Sequence, residues 1–288
     1  MTIALALREA TEALEGKSDS PRLDAELLMA HVLGVSRSDL LLRHMNTSPP
    51  PPGFARLVVR RMGHEPVAYI LGHQEFFGLD FIVTPDVLIP RGDSEVLVEA
   101  ALKARPEARR VLDCGTGSGA LLLAVLHGLP QAEGVGIDRS EPALAVAADN
   151  AVRLGLAARA RMLAADWTQA GWADALGRFD LVLANPPYVE DGAELSPSVR
   201  DHEPASALFA GADGLDDYQI LIPQLPALLA PGGAALAEIG STQADAVSAL
   251  AQASSLRATV HRDLAARPRV VEIMHSAKIP LGNSTCAI

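Results

Sequence analysis

The sequence predicts an α/β fold in which a doubly wound, mostly parallel seven-stranded sheet follows a small N-terminal helical bundle. Short apolar runs alternate with helix-like segments from Arg110 onward, a pattern typical of a parallel sheet between helices. A glycine-rich turn joins the first of these runs to the helix after it. Residues 1–73 lack this alternation and carry apolar residues at helical spacing instead.

Composition indicates one large domain or two modest ones. The chain has 288 residues, of which 49% are hydrophobic and 20% charged. A formal net charge of -11 argues against a protein that grips nucleic acid mainly by its phosphates. Cys114 and Cys286 form no CxxC pair and no zinc-like cluster, which favours a reducing compartment and no metal. We find no signal peptide and no uninterrupted apolar run of roughly 20 residues, and we expect a cytoplasmic location.

Four helices are predicted in the N-terminal bundle, in residues 2–15, 20–34, 38–43 and 54–62. Ser20 suits the cap at the start of the second helix and Gly34 suits its end. Three arginines of the last helix, Arg56, Arg60 and Arg61, are expected to be exposed. A solvated helix face is the simpler interpretation of these arginines, and a docking patch for an acidic or RNA-associated partner is the alternative.

A β-hairpin is predicted after the bundle, because Phe76, Phe77 and Phe81 surround Gly78. The sheet then follows, with strands in residues 111–113, 135–137, 161–164, 180–184 and 234–239 and a closing hairpin that pairs 259–260 with 270–274. Helices are predicted in residues 94–104, 120–126, 141–154, 218–229 and 243–251.

The turn after the first strand reads Asp113-Cys114-Gly115-Thr116-Gly117-Ser118-Gly119. Its glycines allow a tight turn with a ligand against the backbone, and the helix that follows offers unpaired N–H groups. The glycines alone are a weak signal, since dinucleotide-binding folds use similar turns. Asp113 adds a carboxylate that can accept from a ligand ammonium group, which a pyrophosphate lacks.

Acidic residues follow the second and third strands as well. Asp138 ends the second strand, where an acid binds ribose hydroxyls. Asp166 and Trp167 follow the third strand, where a carboxylate can read an adenine amino group and an indole can cover the ring. Each acid taken alone is also explained as a helix cap or a solvated loop residue. Together with Asp113 they fit S-adenosylmethionine, which carries an ammonium, a ribose and an adenine.

The fourth strand ends at Asn185-Pro186-Pro187-Tyr188. The prolines hold the backbone extended and stiff just beyond a strand end, where open α/β sheets place their ligands. The Asn185 side-chain carbonyl and the Pro186 main-chain carbonyl are two acceptors for the N–H bonds of a planar amino group, and Tyr188 offers a flat face. Taken alone, an incidental turn at a strand exit explains the same residues.

With these residues together, the chain resembles the class I methyltransferases, and within them the peptide chain release factor glutamine methyltransferases. The matching motifs span nearly the whole chain and are residues 65–72, 76–78 and 88–91, the glycine turn, Asn185 to Tyr188, Glu203-Pro204 and Asp213-Gly214-Leu215. The sequence departs from the family at Gly92 and Ser94, where proline and threonine are usual. The glycine-rich run that is usual before Val270 is also missing.

The resemblance implies a Rossmann-like methyltransferase domain in residues 93–288, a β-hairpin linker in 74–92 and a helical substrate-docking domain in 1–73. The residue chemistry and the resemblance together give a set of cofactor-binding residues: Asp113, Gly115, Thr116, Gly117, Ser118, Gly119, Asp138, Asp166, Trp167 and Asn185. The resemblance implies that Asn185, Pro186, Pro187 and Tyr188 hold a glutamine in the Gly-Gly-Gln loop of a class I translation release factor. We expect a monomer that binds no DNA and no membrane and needs no metal.

Asn185 and Pro186 are the expected catalytic residues. A carboxamide nitrogen is a poor nucleophile, and accepting both of its N–H bonds would raise its electron density and fix its orientation. Positioning at roughly 3–3.5 Å from the methyl donor would then supply most of the rate. No strong general base is required, and His202, the nearest histidine in sequence, is interpreted as a solvated loop residue.

Three other functions remain open at this point. A DNA adenine-N6 methyltransferase would use the same corner for the adenine amino group, although it needs a basic surface and a recognition domain. A nucleotide-binding dehydrogenase would share the glycine turn, but Asp113 and the Asn185 corner count against it. A non-catalytic adaptor that docks on ribosomal factors through its helical bundle would leave the pocket residues without a purpose.

Overall fold

The structure is a computed structural model that describes residues 1–47 and 49–276. The chain divides into two compact units. Unit 1 comprises Met1–Pro90 and Gly192–Leu208, and unit 2 comprises Arg91–Asp191 and Phe209–Ile288. Cys286 lies outside the described residues.

Helices occur in both units of the described chain. They are α1 (Ile3–Leu14), α2 (Pro21–Leu33), α3 (Arg37–Asp39), α4 (Phe54–Met62), α5 (Val67–Leu71), α6 (Glu95–Ala104), α7 (Ala120–Gly128), α8 (Glu141–Arg153), α9 (Pro197–Arg200), α10 (Asp216–Leu221), α11 (Leu225–Leu228) and α12 (Ala244–Ala253). The strands are β1 (His73–Phe76), β2 (Leu79–Ile82), β3 (Arg110–Cys114), β4 (Glu133–Asp138), β5 (Ala160–Ala164), β6 (Phe179–Ala184), β7 (Leu229–Glu238), β8 (Leu256–Arg262) and β9 (Pro268–His275).

The core of unit 1 forms between α1, α2 and α4, because each helix repeats apolar residues on one face. The buried side chains there include Leu7, Leu14, Leu28, Met29 and Leu57. α2 ends as predicted at Gly34, whose φ of 66° lies in the left-handed region that glycine adopts without strain.

The prediction of an exposed arginine face on α4 is wrong for Arg61. Its side chain is 9% exposed, and its Nε donates to Asp24 Oδ2 at 2.6 Å. The reason is helical spacing, since Arg61 lies one turn after the buried Leu57 and therefore shares its face. Arg56 is exposed and Arg60 is partly buried.

The predicted hairpin is formed by β1 and β2, which pair Phe76 with Leu79. Phe77 and Gly78 make the two-residue turn, with φ angles of 52° and 75° that suit a type I′ geometry. The rings of Phe76 and Phe81 meet edge to face at 6.2 Å between centroids. Both rings are buried.

The segment Gly192–Leu208 packs with unit 1 although the sheet unit precedes and follows it in sequence. The Ser198 hydroxyl in this segment donates to the His64 carbonyl at 2.7 Å and accepts from Arg61 Nη1 at 3.1 Å. The buried Glu203 accepts from the Ile89 N–H at 3.2 Å. Its position in the sequence alone would assign this segment to the sheet domain. The functional domain boundaries given above, 1–73, 74–92 and 93–288, remain a prediction.

Unit 2 contains the predicted seven-stranded sheet, in the order β5-β4-β3-β6-β7-β9-β8. Strands β3 to β7 pair in parallel, whereas β9 is antiparallel to both β7 and β8. The predicted fold class, a doubly wound and mostly parallel sheet, is therefore confirmed. Its inner strands β3 and β6 are short apolar runs that are buried on both faces, as parallel strands between helices are.

The order of strands reverses between β3 and β6 at the middle of the sheet. From β3 the chain moves outward to β4 and β5, and then returns to β6 on the other side. β3 and β6 are paired up to Cys114 and Ala184, each of which immediately precedes a predicted site motif. Because ligands of open α/β sheets bind at such a reversal, the glycine turn and the Asn185 corner lie side by side at the expected place.

The predicted helix in residues 218–229 is interrupted in the structure. α10 ends at Leu221, a 3₁₀ turn covers Ile222–Gln224, and α11 follows. Pro223 and Pro226 explain the break, since proline lacks the N–H that a continuous helix needs. Across residues 1–47 and 49–276, no helix has the length and apolar character that crossing a bilayer requires.

Candidate active site

The glycine turn is satisfied by hydrogen bonds within unit 2. The N–H groups of Gly115 and Thr116 both donate to the carbonyl of Ile137 on β4, at 2.9 and 2.8 Å. The Gly117 N–H donates to a carboxylate at the end of β4, and the Gly119 N–H donates back to the Thr116 carbonyl at 2.7 Å. The unpaired N–H groups predicted at the start of the following helix stay a prediction, but within the turn these four residues leave no free N–H donor. A phosphate needs such free donors, so the turn does not suit a pyrophosphate.

The last residues of the turn connect it to two helices. Ser118 is buried, and its carbonyl accepts from Asn150 Nδ2 of α8 at 2.9 Å. A Cβ on Gly119 would approach Leu123 to 3.1 Å and Ala147 to 3.3 Å. Glycine at this position therefore allows α7 and α8 to pack closely, which holds the turn rigid.

Asp113 is buried at the end of β3, with 1% of its surface exposed. Its Oδ2 accepts from the Thr116 hydroxyl at 2.7 Å, whereas its Oδ1 has no partner among the described residues. Burial raises the pKa of Asp113 to about 7 and the charge of Asp138 adds to the rise, while the bond from Thr116 and the nearby Leu122 N–H offset only part of it. A buried oxygen without a donor is costly to keep, and it marks a position for a donor from a ligand.

The carboxylate that receives the Gly117 N–H belongs to Asp138. Its Oδ2 accepts from that N–H at 3.0 Å and its Oδ1 accepts from the Ser140 N–H at 2.9 Å. The side chain thus joins the glycine turn to the start of α8, and each oxygen keeps a lone pair for a further donor.

Trp167 lies directly against the glycine turn. A Cβ on Gly115 would meet its ring at 3.1 Å, so only glycine allows this approach. The Trp167 Nε1 donates to Asp217 Oδ1 at 3.1 Å, which fixes the plane of the indole. Burial raises the pKa of Asp217, whereas the hydrogen bond from Trp167 lowers it in part.

Asp166 makes local hydrogen bonds. Its Oδ1 accepts from the N–H and the hydroxyl of Thr168, at 2.9 and 2.8 Å. Burial alone would raise the pKa of Asp166, but these two bonds lower it below its usual value. The geometry matches the simpler interpretation of Asp166 as a loop residue, and its reading of an adenine stays a prediction.

These residues fit a ligand with one ammonium group and no phosphate. The unpartnered Asp113 Oδ1 supplies an acceptor for the ammonium. Gly117 has a φ of 53°, and a Cβ built there would meet nothing within 4 Å, so the turn has open space at that residue. The fit to S-adenosylmethionine therefore rests on the geometry of the site as well as on the sequence.

Asn185 follows the last residue of β6 and is only partly buried. Among the described residues, none donates to or accepts from its side chain, so its amide is available to a ligand. Pro186 is buried and Pro187 partly buried, which anchors the corner while leaving it accessible. The structure thus keeps the side-chain carbonyl of Asn185 available where β6 ends.

Gln243 holds the exit of this corner, a role that the sequence analysis does not predict. Its Nε2 donates to the carbonyls of Tyr188 and Gly214, both at 3.1 Å, and its Oε1 accepts from the Gly240 N–H at 2.9 Å. Gly214 has a φ of 69°, and a Cβ there would lie 2.3 Å from the Tyr188 carbonyl oxygen. Glycine is therefore required in the Asp213-Gly214-Leu215 motif.

Glu238 is a second residue that sequence reasoning missed. It ends β7, is 3% exposed, and accepts from the Tyr188 hydroxyl at 3.4 Å. An acid at the end of an apolar strand is the signal that singled out Asp138 and Asp166, and the same signal was present here.

Two family models match the chain, and together they cover both units. One is described as the PrmC N-terminal domain and matches residues 6–72. The other is described as a methyltransferase domain and matches residues 106–272. A methyltransferase structure from Pyrococcus furiosus has 16% sequence identity and a TM-score of 0.51, and the match covers 69% of this chain and 89% of that one. At this identity the structure supports the fold alone.

Curated relatives carry a more specific name. A release factor glutamine methyltransferase from Bordetella pertussis is 46% identical over 262 residues, which are 87% of this chain and 93% of the relative. A protein of the same name from Cereibacter sphaeroides is 42% identical over 287 residues, 97% of this chain and 99% of the relative. The identity and the coverage show that the chain belongs to the release factor glutamine methyltransferase family.

Proposed function

We propose that the protein transfers a methyl group from S-adenosylmethionine to the side-chain nitrogen N5 of a glutamine in the Gly-Gly-Gln loop of class I release factors. The observation that carries this proposal is the pairing of Cys114 with Ala184 across β3 and β6. That pairing places the glycine turn next to the corner that begins at Asn185. A site for the methyl donor therefore adjoins a pair of carbonyl acceptors.

The corner suits the chemistry of an amide nucleophile. The amide nitrogen of glutamine is weakly nucleophilic because its lone pair is delocalised into the carbonyl. The Asn185 side-chain carbonyl and the Pro186 main-chain carbonyl can accept its two N–H bonds, which orients the nitrogen and raises its electron density. Tyr188 provides a flat face for the planar amide.

The cofactor side of the site has complementary groups. Asp113 Oδ1 would accept from the ammonium group, Asp138 from the ribose hydroxyls, and Trp167 would cover the adenine. S-adenosylmethionine, when bound, supplies an electrophilic methyl group on a sulfonium. The protein's own contribution is to hold and orient the two reactants, and no residue of the corner needs to act as a strong base.

Further parts of the proposal concern partners and location. Unit 1, which contains the match to the PrmC N-terminal domain, would dock the release factor. We propose a cytoplasmic monomer, because the substrate takes part in translation and Cys114 is a buried free thiol.

The central test replaces Asn185 with alanine. We expect Asn185→Ala to lower methyl transfer to a release factor by at least about 100-fold, because one acceptor and the orientation of the amide are lost. Binding of S-adenosylmethionine, measured by calorimetry, should remain close to that of the wild-type protein. Mass spectrometry of the Gly-Gly-Gln peptide measures the product.

Two parallel reactions make this test specific. A release factor whose Gly-Gly-Gln glutamine is replaced with alanine should receive no methyl group, and duplex DNA should receive none either. The sequence-based DNA alternative is not favoured by the curated relatives, which are named for release factor glutamine methylation. Full turnover by Asn185→Ala, or methylation of DNA by the wild-type protein, would contradict the proposed function.

A further inference from the structure

Glu238 is an acidic side chain that the sheet unit buries without satisfying it. It is 3% exposed, and its Oε2 has no hydrogen-bond partner among residues 1–47 and 49–276. A carboxyl group in such a place costs free energy unless it is fully hydrogen-bonded. An apolar residue would pack there at lower cost, so the acid calls for an explanation in terms of function.

The position of Glu238 connects it to the substrate corner. β7 pairs in parallel with β6, and Ala237 lies opposite Ala184. Glu238 and Asn185 are therefore the next residues on two adjacent strands. The Tyr188 hydroxyl donates to Glu238 Oε1 at 3.4 Å, a long bond that can shorten when substrate is bound.

Tyr188 is thus held at two points. Gln243 fixes its main-chain carbonyl, and Glu238 contacts the far end of its ring. The main-chain contact sets the path of the corner, whereas the contact to the hydroxyl sets the direction of the aromatic face. Of the two side chains that hold Tyr188, the Glu238 carboxyl can change its charge and the Gln243 amide cannot.

Several charged and polar groups surround the Glu238 carboxyl. Burial raises its pKa to about 7, and the nearby hydroxyls of Ser94 and Tyr188 and the charge of Arg269 oppose this rise, whereas Asp93 adds to it. Arg269 forms ion pairs with Asp93 at 2.6 Å and with Asp263 at 3.1 Å, so its charge is shared.

The phenols next to Glu238 do not titrate in the same range. Burial, and after it the charge of Glu238, raises the pKa of Tyr188, while Arg269 and Arg91 oppose this. Burial also raises the pKa of Tyr218, whose hydroxyl donates to the Glu238 main-chain carbonyl at 2.6 Å. Near neutral pH, Glu238 is therefore the group of this cluster whose charge changes.

We propose that Glu238 is a positioning residue that fixes the ring of Tyr188 against the substrate amide, and that it does so best when ionised. The inference rests on the proposed function, since it concerns the same corner. An ionised carboxylate accepts from the phenol more strongly than a neutral acid does. As the pH rises through neutrality, the ring becomes better fixed and the substrate binds more productively.

The test compares wild-type protein with Glu238→Gln across about pH 6 to pH 9. Glutamine keeps the shape and an acceptor but cannot ionise. We expect the two proteins to have similar kcat/KM for release factor near pH 6, where Glu238 is protonated. Above neutral pH the variant should fall behind by up to about tenfold, roughly what a charged acceptor adds to one hydrogen bond over a neutral acceptor. A purely structural role would give a ratio that does not change with pH.

Two further variants assign the effect to the contact with Tyr188. Tyr188→Phe should remove the pH-dependent advantage of Glu238, and the double variant should lose no more than either single variant. Glu272→Gln is the matched control, because Glu272 lies on β9 in the same sheet and pairs with His261 at 2.9 Å. This control should keep the wild-type pH profile. Equal ratios at all pH values, or additive losses in the double variant, would overturn the proposal.

Infrared spectroscopy separates this inference from the proposed function, since it needs no substrate. The carbonyl band of a protonated buried carboxyl should titrate near pH 7 in the wild-type protein, and one such component should vanish in Glu238→Gln. Tyr188→Phe should shift that component. If the protein methylates no release factor but the band shifts, only the proposed function fails. If the band is insensitive to Tyr188→Phe, the positioning role fails whatever the substrate is.

Discussion

At the scale of single residues, Asp113 contributes to the site at a cost to the stability of unit 2. Its carboxyl is buried, and one of its two oxygens has no partner among the described residues. Its pKa is raised from an ordinary 3.8 to about 7, chiefly because burial disfavours the charge. The folded protein therefore holds a proton on Asp113 over a pH range in which the unfolded chain has already released it.

The sign of the pH effect follows directly. Between about pH 4 and pH 7 the folded state binds more protons than the unfolded state, so the free energy of unfolding falls as the pH rises. The contribution of Asp113 is fully present below its unfolded pKa and is lost once the pH exceeds the folded value. From pH 5 to pH 8.5 we expect the wild-type protein to lose about 3 kcal/mol relative to Asp113→Asn.

Tryptophan fluorescence in urea measures this difference, because both tryptophans, Trp167 and Trp172, belong to unit 2. Asparagine is close to the shape of the protonated acid, so the two proteins should be nearly equal below pH 4. A constant difference between them at every pH would show that Asp113 keeps an ordinary pKa in the folded protein.

Sequence reasoning could find the acids that follow strands, but it could not find their hydrogen bonds. Asp113 and Asp138 stand next to a recognisable glycine turn, and their types alone indicate ligand contacts. Gln243 was out of reach, because its role depends on the carbonyls of Tyr188 and Gly214, which are distant in sequence. The hydrogen bonds made by the N–H groups of Gly115 and Thr116 were out of reach for the same reason, since their acceptor lies on the next strand.

At the scale of elements, a buried ion pair joins α2 and α4 in unit 1. Arg61 and Asp24 have side chains that are 9% and 7% exposed, and they meet at 2.6 Å. Removing Arg61 would leave the buried Asp24 carboxylate with the hydroxyl donors of Ser18 and Ser20 but no opposing charge. The ion pair between Arg8 and Glu12 on α1 is the natural contrast, because its side chains are 76% and 58% exposed.

We expect Arg61→Met to destabilise unit 1 by about 3–5 kcal/mol, whereas Arg8→Met should cost less than about 1 kcal/mol. Methionine retains most of the apolar volume in both variants, so the comparison isolates the charge. Hydrogen exchange of peptides from α2 and α4, read by mass spectrometry, measures the effect in unit 1 itself. Equal protection in the two variants would show that Asp24 finds another partner or is hydrated.

The elements themselves were largely predictable because apolar periodicity determines which faces are buried. The five parallel strands and the closing hairpin could be assigned from short apolar runs between turn residues. The segment Gly192–Leu208 could not, since it carries little periodicity and its packing depends on contacts such as that between Ser198 and His64. Prolines also divided one predicted helix into α10 and α11.

At the scale of the whole molecule, net charge separates two substrates that share the same reactive group. An amide and an adenine both present a planar amino group, and the corner at Asn185 suits either. A formal charge of -11 repels a DNA duplex, however, because 35 acidic residues outnumber the 24 basic residues that could neutralise phosphates. A protein that neutralises six to ten phosphates loses about 10³–10⁵-fold in affinity between 50 and 200 mM salt.

We therefore expect kcat/KM for release factor to change by less than about tenfold over that range of salt, because its substrate is recognised without counterion release. Added duplex DNA should neither be methylated nor compete with release factor at these salt concentrations. Steady-state methylation with a labelled methyl donor measures both quantities in one series. A steep salt dependence together with inhibition by DNA would show that a local basic surface overrides the net charge, and it would direct attention to exposed cations such as Arg56.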